Sequence, residues 1–548
     1  MNSEIELIGA LKDWENIIIY GAGMRANVVV SRLQANDVQQ KILVAVTRTH
    51  GEVEFFSGMQ VHNISALLAL KETALVLIAT QPKYHAEMAQ TAKALGFSHI
   101  LPINTSAFED MKLHYDLTQT SSGIYQLHRE QKKSQFLQYQ TMNLIRLNRL
   151  RDKVRRGGKV RVAFVLTSEA KFDFASIYRA MQNKALYEIC LFVFDEYYKD
   201  RLFNRDNYAS LKEYALRLQR ENYNVVWGYD DNDDPVAIES WKPDVIIYNS
   251  CYMSDSEEPH DLIKAVHNHL SCFVPYGMHV NRNHYYHFEN ETVFSAWIHF
   301  FDTRAAMSEC MKTSFTSGSN AVLSGWPMLD EYADEPGMKG YPEAQKRPMV
   351  IYAPHWSIEA ISNLASFHIH ASRFIKLLAE NPEMDFVFKP HPRLGPEIRM
   401  RENKGSETSI KYDDYLAYCE NWAHAANGSV VTDSSFIQLF KQAACLITDS
   451  FTFLLSWLPT KRPCIFIINP EGPQDINPFF YEFMLPVMDT YYICRSWEEF
   501  QAAFRLVVKE GNDPKAPDRE RLCNELICNL GYSGEFIAEY ILQQVLED

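Results

Sequence analysis

Short apolar runs of strand length recur along this 548-residue chain, each stopped by glycine or polar residues and separated from the next by a stretch with helical spacing. That alternation restricts the fold to α/β with mostly parallel sheets, because parallel neighbours need a crossover connection, normally a helix. Three sets of runs are visible. The first holds Asn16–Tyr20, Lys41–Val46 and Leu75–Thr80. The second opens with Lys159–Thr167 and continues through Leu191–Phe194, Val225–Trp227, Asp244–Tyr248, Cys272–Pro275 and Ala296–Phe301. The third holds Met349–Ala353, Asp385–Lys389, Ala444–Thr448 and Pro463–Ile467. A chain this long exceeds one hydrophobic core. The runs divide it into a small Rossmann-like accessory domain over 1–110, a helical basic linker over 111–158, and two larger Rossmann-like halves over 159–330 and 331–548 that face each other across a cleft.

In an open α/β sheet, ligands bind at the carboxyl ends of the strands, so residues released there are the first candidates for chemistry. Phe386-Val-Phe-Lys389-Pro-His391-Pro-Arg393 ends one run with Lys389, His391 and Arg393, a set suited to phosphate. Cys445-Leu-Ile-Thr448-Asp449-Ser450 ends another, and Ser450 and Thr452 then open an apolar helix predicted over Phe451–Leu458. The amides at that helix start offer a second anion site, so the pair reads as a diphosphate cradle. Two further strand ends carry polar groups: Pro275-Tyr-Gly277-Met-His279 and Tyr352-Ala-Pro-His355-Trp. In the first domain Gly21-Ala-Gly23-Met-Arg-Ala26 has the G-x-G-x-x-A spacing of a nucleotide turn. Its second strand ends in Thr47-Arg48-Thr49, where an NAD site carries an acidic residue. We therefore expect Gly21 and Gly23 to mark a vestigial cofactor site and no cofactor to be required.

The formal charge of −15 opposes nucleic acid as a partner. Against that background, residues 146–161 concentrate Arg146, Arg149, Arg151, Lys153, Arg155, Arg156, Lys159 and Arg161 against Asp152 alone. Such a cluster suits an anionic membrane surface or polymer, or simply a solvated helix end. The N-terminus lacks a basic leader pattern and no apolar stretch reaches membrane-spanning length, so we expect a cytoplasmic protein, peripheral on the inner face of the membrane. The ten cysteines show no close metal-binding or redox pair and sit mostly in apolar runs, which favours reduced thiols. Asp230, Asp231, Asp233 and Asp234 read as a solvated turn, and the pairs His267/His269 and His368/His370 lack a third ligand, so no metal site is expected. Thr432-Asp-Ser-Ser435 reads as a helix cap before a helix over Phe436–Ala444.

The four polar strand ends, together with Gly325-Trp-Pro-Met-Leu-Asp330 and with Lys461-Arg-Pro463 before a strand, resemble in order and spacing the CDP-glycerol glycerophosphotransferase family, which includes teichoic acid and capsule polymerases. The resemblance covers about 159–548. It implies a GT-B fold, a CDP-activated donor held by the C-terminal half, and a glycan or lipid-linked glycan acceptor in the bacterial cell envelope whose hydroxyl attacks the β-phosphorus and expels CMP. Carried onto this chain, it makes His391, Ser450 and Thr452 diphosphate ligands and His279 the general base, with Lys389, Arg393, Thr448, Asp449, His355 and Gly277 around the substrates. Two readings stand beside it: an inverting GT-B glycosyltransferase using a CMP- or UDP-sugar, and a non-catalytic nucleotide-binding scaffold of a glycan assembly complex.

Overall fold

In the computed structural model the described residues are 7, 11, 14–35, 38, 40–47, 55–56, 59–104, 107–108, 111–112, 123–195, 205–251, 262–333, 347–358, 365–403, 410–432, 436–470, 472–473 and 475–547. Arg48, Thr49, Asp433–Ser435 and most of the Glu331–Arg347 divider lie outside them. The chain forms two compact units, one over 1–128 and a larger one made of 129–358 and 364–548.

The first unit is a Rossmann-like sheet of β1 (Asn16–Tyr20), β2 (Lys41–Val46), β3 (Phe55–Phe56), β4 (Met59–Asn63), β5 (Ala74–Ile78) and β6 (Ile100–Pro102), in the order β3-β4-β2-β1-β5-β6. Every residue of β1 and β5 is buried, as expected of parallel strands covered on both faces. After β1 the chain turns at Gly21 into helix α1 (Met24–Ala35).

The larger unit opens with residues 129–155 of a single long helix, α2 (Gly123–Arg155). Phe136, Asn143, Leu147 and Leu150 are buried at helical spacing, while Leu137, Leu144 and Ile145 on the other side are exposed. Its N-terminal half then holds β7 (Val160–Leu166), β8 (Tyr187–Val193), β9 (Val225–Trp227), β10 (Val245–Tyr248), β11 (Leu270–Phe273), β12 (Ile298–Phe301) and β13 (Ala321–Leu323). The C-terminal half holds β14 (Met349–Ala353), β15 (Asp385–Phe388), β16 (Gly428–Val430), β17 (Cys445–Thr448), β18 (Cys464–Ile467) and β19 (Tyr492–Cys494). The orders are β13-β12-β11-β10-β7-β8-β9 and β16-β15-β14-β17-β18-β19, and the register pairs of both are parallel. In each half the first strand lies between the second and the fourth, the doubly wound arrangement that reverses direction between first and fourth and opens a crevice there. The architecture is a GT-B-like pair of Rossmann-like halves.

The halves share more than a linker. Helix α3 (Ala175–Gln182) follows β7, and helix α5 (Ser533–Leu546) near the C-terminus packs against it; Ile537, Ala538, Ile541 and Val545 belong to the same core cluster as Val162, Phe164, Ile177 and Met181. The sequence boundary at 330 assigned that helix to the C-terminal half. Its apolar positions match any core, and only the fold shows which. Coming the other way, Met278, Val280, Trp326 and Leu329 pack into the C-terminal half's core beside Leu446 and Phe466. At the crossing Gly325 adopts φ +78°, and a Cβ there would collide with the carbonyl oxygen of Cys528 and the Ser533 hydroxyl.

Candidate functional site

Register assembles the C-terminal half's site. Tyr352 pairs with Phe388 and Ala353 with Thr448, so chains that continue in step bring His355, His391 and Ser450 to one edge at the switch between β14 and β17. The ladder does continue: Lys389 N–H donates to Tyr352 O and His391 N–H to Pro354 O. The two imidazoles end 5.4 Å apart between ring centroids. His391 Nδ1 accepts the Arg393 backbone N–H at 3.1 Å, and His355 Nδ1 accepts that of Ser357 at 3.3 Å and faces the Ser357 hydroxyl at 2.7 Å. An Nδ1 that accepts puts the ring proton on Nε2, so both rings present an N–H outward. Burial pushes their pKa values down, helped by Arg393 at His355 and by the His355 ring, Arg393 and Lys389 at His391, to about 4 for His355 and about 3 for His391. They are neutral donors at neutral pH. Lys389 is buried beside them, whereas Arg393 is exposed with its guanidinium 4.0 Å over the Trp356 ring.

Thr448 and Asp449, expected among the substrate ligands, serve the loop itself. Thr448 Oγ1 donates to Ala353 O and accepts Ser450 N–H. One Asp449 oxygen accepts the His355 N–H at 2.5 Å and the other accepts the Ser366 N–H and hydroxyl. Burial raises this carboxyl to about 6, against the pull of those donors. Asp449 therefore fixes His355. The Ser450 and Thr452 hydroxyls pair at 3.0 Å, but the helix they open is shorter than predicted: α4 (Phe453–Trp457) is five residues, followed by a 3-10 turn to Thr460. Its dipole is correspondingly small, which leaves the serine and threonine hydroxyls as the donors.

In the N-terminal half, His279 lies in the segment after β11 and Asp302 directly after β12. The Asp302 carboxylate grips it twice, accepting the His279 N–H at 2.6 Å and pairing with Nδ1 at 2.9 Å. Thr303 N–H donates to the same carboxylate. This pairing places the proton on Nδ1 and leaves the Nε2 lone pair as the basic atom. Asp302 was missed in the sequence, although an aspartate that ends an apolar run is a readable signal. His279 is 2 % exposed, clustered with the near-parallel rings of Phe288 and Phe301, with His287 edge-on at 4.9 Å. Burial and the neighbouring imidazoles hold His287 and His299 well below the usual histidine range, and His284 falls to about 4, so the surrounding rings are neutral. Met278 and Val280 point into the other half's core, Asn281 bridges to Phe480 and His287 pairs with the Tyr481 hydroxyl at 2.9 Å. Gly277 lies in the half-buried bend before them, with open space where a Cβ would stand.

A second polar group missed in the sequence marks the N-terminal half's own switch point, between β7 and β10. Lys171 reaches to 3.4 Å from the Ser250 hydroxyl and 5.3 Å from the Tyr276 ring centre, and its carbonyl accepts the Asn249 side-chain amide. In the first unit, Gly21 has φ +129° and packs on Thr80, so the turn is required by packing, while Gly23 has open space above it. Thr47, where an NAD site has an acid, bonds the Tyr20 hydroxyl at 2.7 Å.

The remaining candidates are structural. Asp230 Oδ1 accepts the Asn232 and Asp234 N–H groups in a solvated turn. His267 ends a helix and packs on Tyr139. No group of three or more His, Cys, Asp or Glu among the described residues has metal-site geometry, and the cysteines are free. The basic cluster is half engaged within the fold: Arg151 bonds Gln544 O, Lys153 pairs with Asp244 and Arg161 with Glu188. Arg149, Arg156 and Lys159 remain exposed. No helix among the described residues is long and apolar enough to cross a membrane.

No protein-family model and no curated protein sequence matches this chain. Solved structures that resemble it include the wall teichoic acid polymerase TagF, at 13 % identity over 78 % of this chain and 99 % of that one, with a TM-score of 0.46. They also include UDP-GlcNAc 2-epimerase from Neisseria meningitidis bound to UDP-GlcNAc, at 12 % identity over 70 % and 100 %, with a TM-score of 0.41. The S. aureus MnaA–UDP structure stands at 12 % over 70 % and 96 %, with a TM-score of 0.42. At these identities and scores the likenesses carry no statement about activity, which must be argued from the site.

Proposed function

We propose that this protein is a transferase that moves glycerol phosphate, or a related alditol or sugar phosphate, from a CDP-activated donor to a hydroxyl of a cell-envelope glycan. The observation that carries the reading is the meeting of His355, His391 and Ser450 at the switch point, with both imidazoles fixed as Nε2–H donors. Neutral, half-buried donors, with the buried Lys389 beside them, suit the diphosphate of an activated nucleotide. The acceptor hydroxyl attacks the β-phosphorus, the bond from that phosphorus to the bridging oxygen breaks, and CMP leaves with the electron pair and the new charge. The hydroxyl proton passes to His279 Nε2, and Asp302 steadies the imidazolium that forms. Lys171 and Ser250 line the acceptor side.

Because His279 is 2 % exposed, this chemistry requires the Asn281–Arg282 segment to part from Phe479–Phe480, to which it bonds, when the acceptor enters. The same burial favours a second reading, in which the His279–Asp302 pair braces the halves of a nucleotide-binding scaffold. Incubation of the protein with CDP-glycerol, CDP-ribitol, CMP-sialic acid and UDP-sugars, with and without EDTA, separates them. CMP released from a CDP-alditol in EDTA is the expected result. Release from a nucleotide sugar alone makes it a glycosyltransferase, and donor binding without turnover that is indifferent to His279→Ala supports the scaffold.

A further inference from the structure

The loop after β7 does more than carry Lys171 to the crevice. Two residues on, Asp173 turns into the wall of a separate cavity of ≈ 260 Å³, bordered by Phe172, Arg179, Asn183, Pro327 and Glu535. Most polar groups around it already have work in the fold. Ser176 donates to Pro327 O, Asp330 accepts the Ser533 and Gly534 N–H groups at the start of α5, and Glu535 pairs with Lys184. Asp173 differs. It is 4 % exposed, and its Oδ2 is sealed from water with no hydrogen-bond partner. Burial pushes this carboxyl well above the usual range, against the pull of Lys171, which favours its uncharged form. A buried, unsatisfied carboxyl is a destabilising feature that a purely architectural position would replace with an apolar residue.

We propose that this cavity is a saccharide subsite that holds one neutral, hydroxyl-bearing unit of the acceptor glycan, gripped at its diol by Arg179 and by Asp173 once a side-chain rotation brings the sealed Oδ2 into the cavity. The proposal deepens the acceptor side of the function above and rests on it for its biological role. A protonated carboxyl both donates and accepts, as a sugar hydroxyl does, and the exposed Arg179 guanidinium supplies donors at the rim. The volume admits a single sugar ring or a short open-chain alditol, not a nucleotide. Because Lys171 and Asp173 share one loop, a unit seated here adjoins the chain that reaches the crevice, so the subsite grips the acceptor away from the reacting hydroxyl.

The test is saturation-transfer NMR on the full-length protein without donor, using ribitol and the methyl glycosides of glucose, galactose and N-acetylglucosamine, alongside thermal melting. The expected result is transfer to at least one probe, lost in Asp173→Leu and weakened several-fold in Arg179→Ala, with Asp173→Leu melting at or above the parent temperature. No transfer to any probe, or transfer unchanged in both variants, overturns the proposal. If Asp173→Leu does not fold, the exposed Arg179→Ala variant still decides it. Nucleotide release measured on the same samples keeps the two failures apart: normal CMP release without sugar binding ends the subsite alone, and sugar binding without release from any donor ends the transferase reading alone.

Discussion

At the scale of single residues, the sharpest consequence concerns a tautomer. Asp302 holds the His279 proton on Nδ1, so Asp302→Asn should present an amide N–H there, reverse the ring and remove the basic Nε2. Turnover should fall by up to about 10⁴-fold with donor affinity unchanged, by analogy with the same change in a serine-protease triad, and steady-state kinetics beside calorimetric donor binding would reveal it. His391→Gln should do the opposite, weakening CDP-donor binding about tenfold or more by the loss of one strong hydrogen bond; an unchanged dissociation constant would remove His391 from the donor site. The histidines and serines at strand ends were legible because a polar group after an apolar run is exceptional. Asp302 and Lys171 were not singled out, because their meaning depends on neighbouring strands: Asp302 follows the strand beside the one that leads to His279, and Lys171 meets Ser250 across the sheet. The roles of Thr448 and Asp449 were hidden for a related reason, since a motif shows which residues cluster but not which way each one points.

At the scale of elements, periodicity located the buried strands and the short β9, but missed β4 and most of the short, half-exposed ones. β13, β16 and β19 are three residues each, and their half-exposed patterns do not stand out from helical surroundings. Helix α4 stops early because Leu458-Pro459 tightens into a 3-10 turn. Helix α2 shows how charge counting misleads. Of eight cations near its end, Arg151, Lys153 and Arg161 bind the fold and Arg146 and Arg155 bond Asn143 and Asp152 within the helix, which leaves Arg149, Arg156 and Lys159 beside the exposed Leu137, Met142, Leu144 and Ile145. A mixed apolar and basic face suits the surface of an anionic membrane. Arg149→Glu with Arg156→Glu should abolish co-sedimentation with phosphatidylglycerol vesicles and leave the melting temperature within about 2 °C, as surface changes do. Unchanged sedimentation would assign the face to solvent.

At the scale of the whole molecule, pH acts through groups buried in the uncharged state. His355, His391, His284 and His370 are depressed to between about 3 and about 4 from an ordinary 6.5, so their stability contribution is complete above pH 6.5 and is lost as pH falls toward 4. Asp449, raised to about 6, runs the other way and gains stability on acidification through that range. His267, His269, His287 and His299 are depressed as well, and Asp173, Glu289 and Asp330 are raised, so eight histidines against four carboxyls predict net acid destabilisation of the larger unit between pH 6.5 and 4; urea midpoints across that range should fall, less steeply in His355→Gln/His391→Gln. A midpoint that rises would refute the assignment. The fold predicts a second global behaviour: a fragment covering 129–330 should stay unfolded alone and fold when 526–548 is added in trans, because α5 supplies part of its core. Circular dichroism of the fragment with and without the peptide tests this.

The two places where the chain passes between the halves lie side by side. Asn529 bonds the carbonyl of Ser324, and the α5 start is capped by Asp330. Two adjacent covalent strands act as the pins of a door. They resist sliding and wringing of one half against the other and leave one easy movement, a swing that opens the mouth far from the pins. Any gap that admits an acceptor would therefore open and shut along a single coordinate, with Gly325, wedged against Cys528, at the jamb.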